Sequence, residues 1–231
     1  MMIELDLAKN EISGIADEAS GELTIATTHG YASTVLFPHL CNFSLLYPEI
    51  TLHVMCDDMD LDLIKKEADV AVRPYDIKTS ELEHIFLHER KLQLFASQEY
   101  IDKMGIPEKT EDLDFHRLIV FENPNATTPF ANNTWNLILG MIDGQKRKPF
   151  MTVNSAECLA HAAEQGIGII ACSHDSLLLK KYALKRVLPT IEGQPTKMYY
   201  VYPKSIRNLS TVGLLGNYLK NALSSPQNIT N

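Results

Sequence analysis

Two short segments place hydroxyl, amide and imidazole side chains where a strand gives way to a helix. Thr27-Thr28-His29-Gly30-Tyr31-Ala32-Ser33 follows a run of alternating polar and apolar residues, and Asn154-Ser155 follows Thr152-Val153. A helix N-terminus presents unpaired backbone N–H groups and the positive end of its dipole, worth about 0.3–1 kcal/mol to an exposed anion. Two such ends facing one cleft would form a carboxylate or sulfate site. Ser33 and Ser155 also have a plainer use, because serine is a residue type that caps helices. Arg73 closes the apolar run Val70-Ala71-Val72, so it would emerge at the carboxyl end of a strand, where open α/β sheets bind ligands. A salt bridge to a nearby acid is the structural alternative for this arginine.

Other candidate groups carry less chemistry. His84 and His88 have the i, i+4 spacing of a helical zinc pair, flanked by Glu83 and Glu89. The neighbouring Ile85-Phe86-Leu87 and Leu92-Gln93-Leu94-Phe95 favour strand instead, and no third ligand is identifiable, so no metal is expected. His161 and Glu164 read as an exposed i, i+3 pair on a helix. Cys41, Cys56, Cys158 and Cys172 show no Cys-x-x-Cys spacing and read as buried free thiols, with a Cys158–Cys172 redox pair as the alternative. There is no Gly-x-Ser-x-Gly, Walker loop or Gly-x-Gly-x-x-Gly, and Gly166-Ile167-Gly168 follows a helix instead of opening one. Neither an enzyme nor a cofactor is expected.

The chain of 231 residues carries a formal charge of −8, which opposes unassisted binding to a polyanion. Its basic clusters, Lys146-Arg147-Lys148 and Lys180-Lys181 with Lys185-Arg186, read as solvated faces. With 45% hydrophobic and 22% charged residues it should bury a packed core, and its length suits two lobes of about 100 residues each. The opening Met1-Met2-Ile3-Glu4-Leu5-Asp6 has no signal-peptide pattern, and no apolar run approaches the ~20 residues that span a bilayer. A cytoplasmic protein without membrane contact is expected.

The elements that must position the candidate groups alternate in type. Residues 1–20 read as a partly helical lead-in closed by Gly21. Residues 22–27 form a strand, 28–34 a turn, 35–46 a helix stopped by Tyr47-Pro48, and 50–55 a second strand. A short helix over 61–66 and a strand over 68–73 follow, then a strand-rich stretch over 82–96. A second block repeats the theme, with strands at 118–121, 150–153 and 167–171 and a helix over 155–164. A strand at 197–202 and a helix at 209–223 then return to the first lobe. Such alternation predicts parallel strands joined by crossovers.

In order along the chain, Gly21-Glu22-Leu23-Thr24-Ile25-Ala26, Leu36-Phe37-Pro38-His39-Leu40 with Phe43, Tyr47-Pro48-Glu49-Ile50-Thr51-Leu52 and Ala68-Asp69-Val70-Ala71-Val72-Arg73 resemble the effector domain of LysR-type transcriptional regulators. Ser97-Gln98-Glu99-Tyr100-Ile101, Gly105-Ile106-Pro107, Asp112-Leu113-Asp114-Phe115-His116 and Ala163-Glu164-Gln165-Gly166-Ile167-Gly168-Ile169 continue it. The resemblance covers about residues 21–223 and rests on the order and spacing of these pieces. It implies an α/β, periplasmic-binding-protein type II-like fold, two Rossmann-like lobes joined by two crossover strands, with a small inducer in the cleft between them. The first lobe is expected at 21–96 and 198–225 and the second at 97–197, with crossings near Leu94-Phe95 and Thr196-Lys197. Residues 1–20 would be the remnant of a linker helix and 226–231 a tail.

Carried over by motif, effector contacts fall on Thr28, Tyr31 and Ser33 after the first strand, on Arg73 beside Pro74, and on Asn154 and Ser155 in the second lobe. His29, in the first of these loops, joins the candidate set. Ile25-Ala26-Thr27-Thr28-His29 is similar to the sulfur-assimilation regulators of the family, which points to an anionic effector, whereas Gly30 and Tyr31 depart from that subgroup. The family's N-terminal helix-turn-helix is not found in this sequence, so DNA would be reached only through such a head. The resemblance further implies a homodimer or higher homo-oligomer through residues 35–46. A solute-binding transport protein shares the fold and is the alternative; it would need a signal peptide.

Overall fold

The computed structural model describes residues 20–58, 62–74, 79–123 and 132–224. In chain order the first strands are β1 (Gly21–Thr27), β2 (Ile50–Cys56), β3 (Val70–Arg73), β4 (Leu82–Arg90) and β5 (Leu92–Ala96). They are followed by β6 (Leu118–Glu122), β7 (Asn132–Asn133), β8 (Met151–Val153), β9 (Ile169–Ser173), β10 (Lys185–Val187) and β11 (Thr196–Pro203). Helix α1 runs without a break through His29–Tyr31, a π-helical turn Ala32–Leu36 and Phe37–Leu46. The other α-helices are α2 (Gln98–Met104), α3 (Ala156–Glu164), α4 (Leu177–Lys181) and α5 (Ser210–Ser224).

Two sheets define two lobes, in the orders β2-β1-β3-β11-β4 and β10-β5-β9-β6-β7, with β8 beside β6. Parallel pairing holds where helices and loops cross over, between β1 and both β2 and β3 and between β6 and both β8 and β9. The strands that connect the lobes pair antiparallel, β11 with β3 and β4, and β5 with β9. Because β4 ends at Arg90 in one sheet and β5 begins at Leu92 in the other, the chain crosses at Lys91 rather than near Leu94-Phe95. Residues 92–96 therefore sit in the second lobe. The return crossing precedes Thr196, which pairs with Arg90.

Helix α1, capped by Thr28, starts at His29, six residues before the expected 35–46 segment. Two features of its sequence shape it. Thr34 and Ser33 hydrogen-bond back to the carbonyls of Gly30 and His29, at 2.6 and 3.0 Å, a habit of hydroxyl residues that loosens a helix. Pro38 then lacks an N–H and would clash with the carbonyl four residues back. The wide turn over Ala32–Leu36, closed by Phe37 N–H on the Ala32 carbonyl, takes up both disturbances and lets the helix continue. The helix expected over 61–66 is not found: Leu61 lies outside the described residues, and 63–66 form turns. There the Asp62 carboxylate takes the N–H groups of Ile64 and Lys65 at 2.9 and 3.2 Å, and Lys66 adopts φ 61°.

The first core joins Leu23, Ile25, Val70 and Val72 of the sheet to Leu36 and Phe43 of α1 and to Leu215 and Leu219 of α5. Helix α5 comes close to β11 because residue 216 is glycine: a Cβ there would stand 2.9 Å from the Tyr200 ring, whose hydroxyl donates to the Val212 carbonyl at 2.9 Å. In the second lobe both sheet faces are covered, Leu118 and Val120 on one and Ile119 with Leu159 and Ala163 of α3 on the other. Gly168 is pressed onto β6's entry, where a Cβ would meet the Arg117 carbonyl oxygen at 2.4 Å. Arg147, expected on a solvated face, is instead nearly buried and holds the carbonyls of Leu139 and Thr110 and the Asp114 carboxylate.

Candidate functional site

Between the lobes lies a cleft with a deep part and a mouth. The deep part is a cavity of about 300 Å³, walled in the first lobe by Thr28, Tyr31, Thr34 and Met198 and in the second by Phe121, Trp135, Leu159 and Ala171. The mouth, about 610 Å³, is lined by His29, Ser33, Asp57 and Asp58 on one side and by Asn123, Asn154, Ser155 and Glu157 on the other. Gly30 lines both parts, and a Cβ there would meet nothing within 4 Å. Its missing side chain leaves that space open to a ligand.

Six of the expected site residues come together here, Thr28 and Tyr31 in the deep part and His29, Ser33, Asn154 and Ser155 at the mouth. Thr28 caps α1, its hydroxyl accepting from the Tyr31 N–H at 3.2 Å. Ser33 does not cap; it stands exposed within the helix. Ser155 caps α3, accepting from the Cys158 N–H at 3.3 Å. The start of α1 already holds a carboxylate supplied by the chain itself. Asp58 Oδ1 accepts the His29 N–H at 3.2 Å, and its Oδ2 accepts from Asn123 Nδ2, across the cleft, at 3.1 Å.

Beside the deep cavity a second polar bridge joins the lobes. Arg90, at the end of β4, donates through Nε to both oxygens of Asp175 at 3.0 Å and approaches Oδ1 with a terminal nitrogen at 3.0 Å. Asp175 belongs to the turn between β9 and α4. The guanidinium also lies 4.9 Å from the centre of the Tyr31 ring, a cation–π distance. Tyr31 and His88 share a hydrogen bond of 2.8 Å from hydroxyl to Nε2, and His88 Nδ1 is 3.9 Å from Asp175. Burial pushes the His88 imidazole down to about 4, opposed by Asp175 and assisted by Arg90, His174 and His39. The ring is therefore neutral at pH 7. Burial likewise raises the Tyr31 phenol far above its usual range. Burial favours the neutral form of Asp175 too, but the Arg90 charge and hydrogen bonds, with Ser173 and His88, outweigh it and hold this carboxyl below its ordinary value. The arrangement that pairs every group has Tyr31 donating to Nε2 and the Nδ1–H facing Asp175.

A family model described as LysR substrate binding domain matches residues 16–224. The chain belongs to the LysR substrate-binding domain family. Among curated relatives, the HTH-type transcriptional regulator CrgA of Neisseria meningitidis serogroup B is 27% identical over 191 residues, which are 83% of this chain and 62% of that protein. The HTH-type transcriptional activator TtdR of Escherichia coli O6:K15:H31 is 25% identical over 201 residues, 84% of this chain and 62% of that protein. The LysR domain thus spans less than two thirds of the length of these relatives. The solved regulatory domain of CrgA from Neisseria meningitidis superposes with a TM-score of 0.74 at 24% identity, covering 88% of this chain and 99% of that one. The regulatory domain of AphB from Vibrio vulnificus gives 0.66 at 24% identity, covering 87% and 98%. Both share the two-lobed fold. The family is one of regulatory domains and not of enzymes.

Arg73 is the one candidate that the LysR domain keeps out of the cleft. Alternation along β3 sets Val70 and Val72 towards α1 and α5, and Ala71 and Arg73 towards the opposite face. Arg73 is buried there and lines neither part of the cleft, although Pro74 beside it reaches the deep cavity. Sequence reasoning missed Asp58, Arg90, Trp135 and Asp175. A signal existed for Arg90: the charged pair Arg90-Lys91 interrupts an otherwise strand-like stretch at the point where the chain changes sheets. His84 and His88 both lie on β4, and among the described residues no group of three His, Cys, Asp or Glu could hold a metal. His161 and Glu164 form the exposed i, i+3 pair, 3.1 Å apart. All four cysteines are free, but Cys41 and Cys158 are exposed rather than buried because they fall on the outward faces of α1 and α3.

Proposed function

We propose that the LysR domain senses a small-molecule effector in the interlobe cleft on behalf of a cytoplasmic transcriptional regulator, with DNA contacted by a helix-turn-helix part such as the relatives' names record. The observation that carries this is the cleft itself, open at its mouth and bridged at two places by polar pairs, Asp58–Asn123 and Arg90–Asp175, with one partner on each lobe. A ligand that fits one lobe spacing better than another shifts the population between them, and needs that difference in affinity to act at all. The charge of −8 supports leaving DNA to another part of the protein. A transport role is not favoured, because the relatives are transcriptional regulators. Among the described residues no helix is long and apolar enough to cross a membrane.

The test is a metabolite screen read by Trp135, the chain's single tryptophan, which lines the deep cavity, together with thermal melts. At a hundred times its dissociation constant a ligand adds about 2.7 kcal/mol of stability. Gly30→Phe sets its Cβ in open space and its ring is expected to fill the cleft, so that the variant loses that response while melting normally. A screen in which no compound separates wild type from Gly30→Phe refutes cleft sensing.

The domain also pairs with a second copy through α1. Phe37, Cys41 and Leu45, spaced i, i+4, i+8, are all exposed, Leu45 by 82%. An outward apolar stripe of this kind suits a partner surface. Sedimentation is expected to show a dimer at micromolar concentration and a monomer for Phe37→Lys with Leu45→Lys; a wild-type monomer under those conditions rules the pairing out.

A further inference from the structure

The electrostatics of the cleft bear on what kind of molecule it accepts, an inference that rests on the cleft being the effector site. Among the described residues lining it, the arginine and lysine side chains are Arg90 and Lys91, and each is already in an ion pair. Arg90 is bound by Asp175, and Lys91 Nζ lies 2.9 Å from Glu192. Of the two helix starts expected to attract an anion, that of α1 is occupied by Asp58 and that of α3 is capped by Ser155, and Asp57 and Glu157 also line the mouth. Arg73, the remaining cation expected to help, is turned to another face. At the start of α1 a ligand carboxylate or sulfate would thus have to displace Asp58, and at the mouth it would meet the Glu157 carboxylate, which Lys181 already pairs.

The walls offer a different kind of recognition. Phe121, Trp135, Leu159 and Met198 supply apolar and aromatic surface. Thr28 and Ser176 face the same deep cavity from opposite lobes, and each hydroxyl oxygen accepts a backbone N–H, from Tyr31 at 3.2 Å and from Leu178 at 3.3 Å. The Thr28 O–H hydrogen is left to donate, whereas the Ser176 hydroxyl is within hydrogen-bonding reach of the Cys172 thiol. We propose that Asp175 and Asp58 act as resident anions of the cleft, so that it selects a small uncharged molecule with an apolar ring and a hydrogen-bond acceptor over an anion of the same shape. The volume of about 300 Å³ sets the size, at the small end of ligand cavities. Asp58 and Asp175 are specificity-determining residues in this reading, acting through the cations and N–H groups that they occupy.

Benzamide, benzoate and benzamidinium have nearly the same shape and differ in charge, so they isolate the effect. Titrations at pH 7.5, followed by Trp135 fluorescence and calorimetry, are expected to show benzamide binding at least about tenfold more tightly than benzoate. Asp58→Asn and Asp175→Asn should each narrow that ratio by strengthening benzoate; Asp58 is the safer variant because its bonds lie at the mouth. Benzoate or benzamidinium binding as well as benzamide, no binding of benzamide, or a ratio unmoved in both variants, overturns the inference. Gly30→Phe keeps the two readings apart. Tight benzoate binding that Gly30→Phe abolishes defeats the charge selection and leaves cleft sensing standing, whereas binding indifferent to Gly30→Phe defeats both.

Discussion

Arg90→Ala is expected to lower the unfolding free energy of the LysR domain by about 3–5 kcal/mol, the usual cost of stranding a buried charge. Asp175 would keep its carboxylate in a site where the side chain is only 14% exposed, with the doubly bonded guanidinium gone. The Tyr31 ring would also lose the cation above it. The opposite experiment separates attraction from desolvation. Arg90→Met combined with Asp175→Leu removes both charges and fills similar space, so it should recover most of the loss, as replaced buried ion pairs generally do. Urea denaturation followed by tryptophan fluorescence gives all three values. A loss under about 1 kcal/mol in Arg90→Ala would place the pair in the class of solvent-screened surface bridges, and the link between the lobes would then be weak.

Much of the fold was legible because its strands are short and its patterns regular. Leu23 and Ile25 alternate with Glu22 and Thr24, and Tyr47-Pro48 ends a helix wherever it falls, so β1, α1 and β2 follow from local rules. The sheet change at Lys91 was not legible in the same way. Residues 82–96 carry strand propensity throughout, and propensity does not say which neighbour a strand pairs with; that depends on β11 and β9, about a hundred residues away in the chain for β11. The early start of α1 was hidden for another reason. Gly30, Ser33 and Thr34 are turn and cap residues by type, and they enter a helix here only because Ala32, Val35 and Leu36 are drawn into the core behind them.

The site divides along the same line. The β1–α1 and β8–α3 junctions were visible from residue type, since hydroxyl and amide side chains cluster where strands end. Their partners were not. Asp58 and Asp175 look like ordinary surface acids in the sequence, and only the fold brings one to the start of α1 and the other to Arg90. Arg73 failed for want of a parity argument, because a single-residue offset along a strand turns a side chain to the other face. The expectation of an anion counts helix starts and arginines; the proposed preference for an uncharged ligand counts also the carboxylates that the fold sets against them.

His88 gives the second large effect, and its sign follows from where the proton binds. The imidazole titrates near 6.5 in the unfolded chain and at about 4 in the folded one, where burial opposes the charged form. As the pH falls below about 6.5 the unfolded state takes up a proton that the folded state refuses, so stability is complete above 6.5 and declines until about 4. At about 1.4 kcal/mol per pH unit, the full decline is about 3 kcal/mol. Asp175 does not confuse the reading. Its carboxyl lies below the ordinary 3.8, so the stability it contributes is present above 3.8 and is lost only as the pH falls further. Between 6.5 and 4 the urea midpoint of wild type should therefore fall steeply. His88→Gln should make that slope shallower, leaving the share of His39 and His116, which burial also lowers, because glutamine cannot protonate yet can still accept from the Tyr31 hydroxyl. The protonated imidazole, by contrast, is a donor at both nitrogens, so the Tyr31 hydroxyl would have to turn from donor to acceptor to keep the contact between α1 and β4. A wild-type midpoint that falls no more steeply than that of His88→Gln would mean that water reaches the ring in the folded state, and the wall of the cleft at Tyr31 would have to be drawn as open.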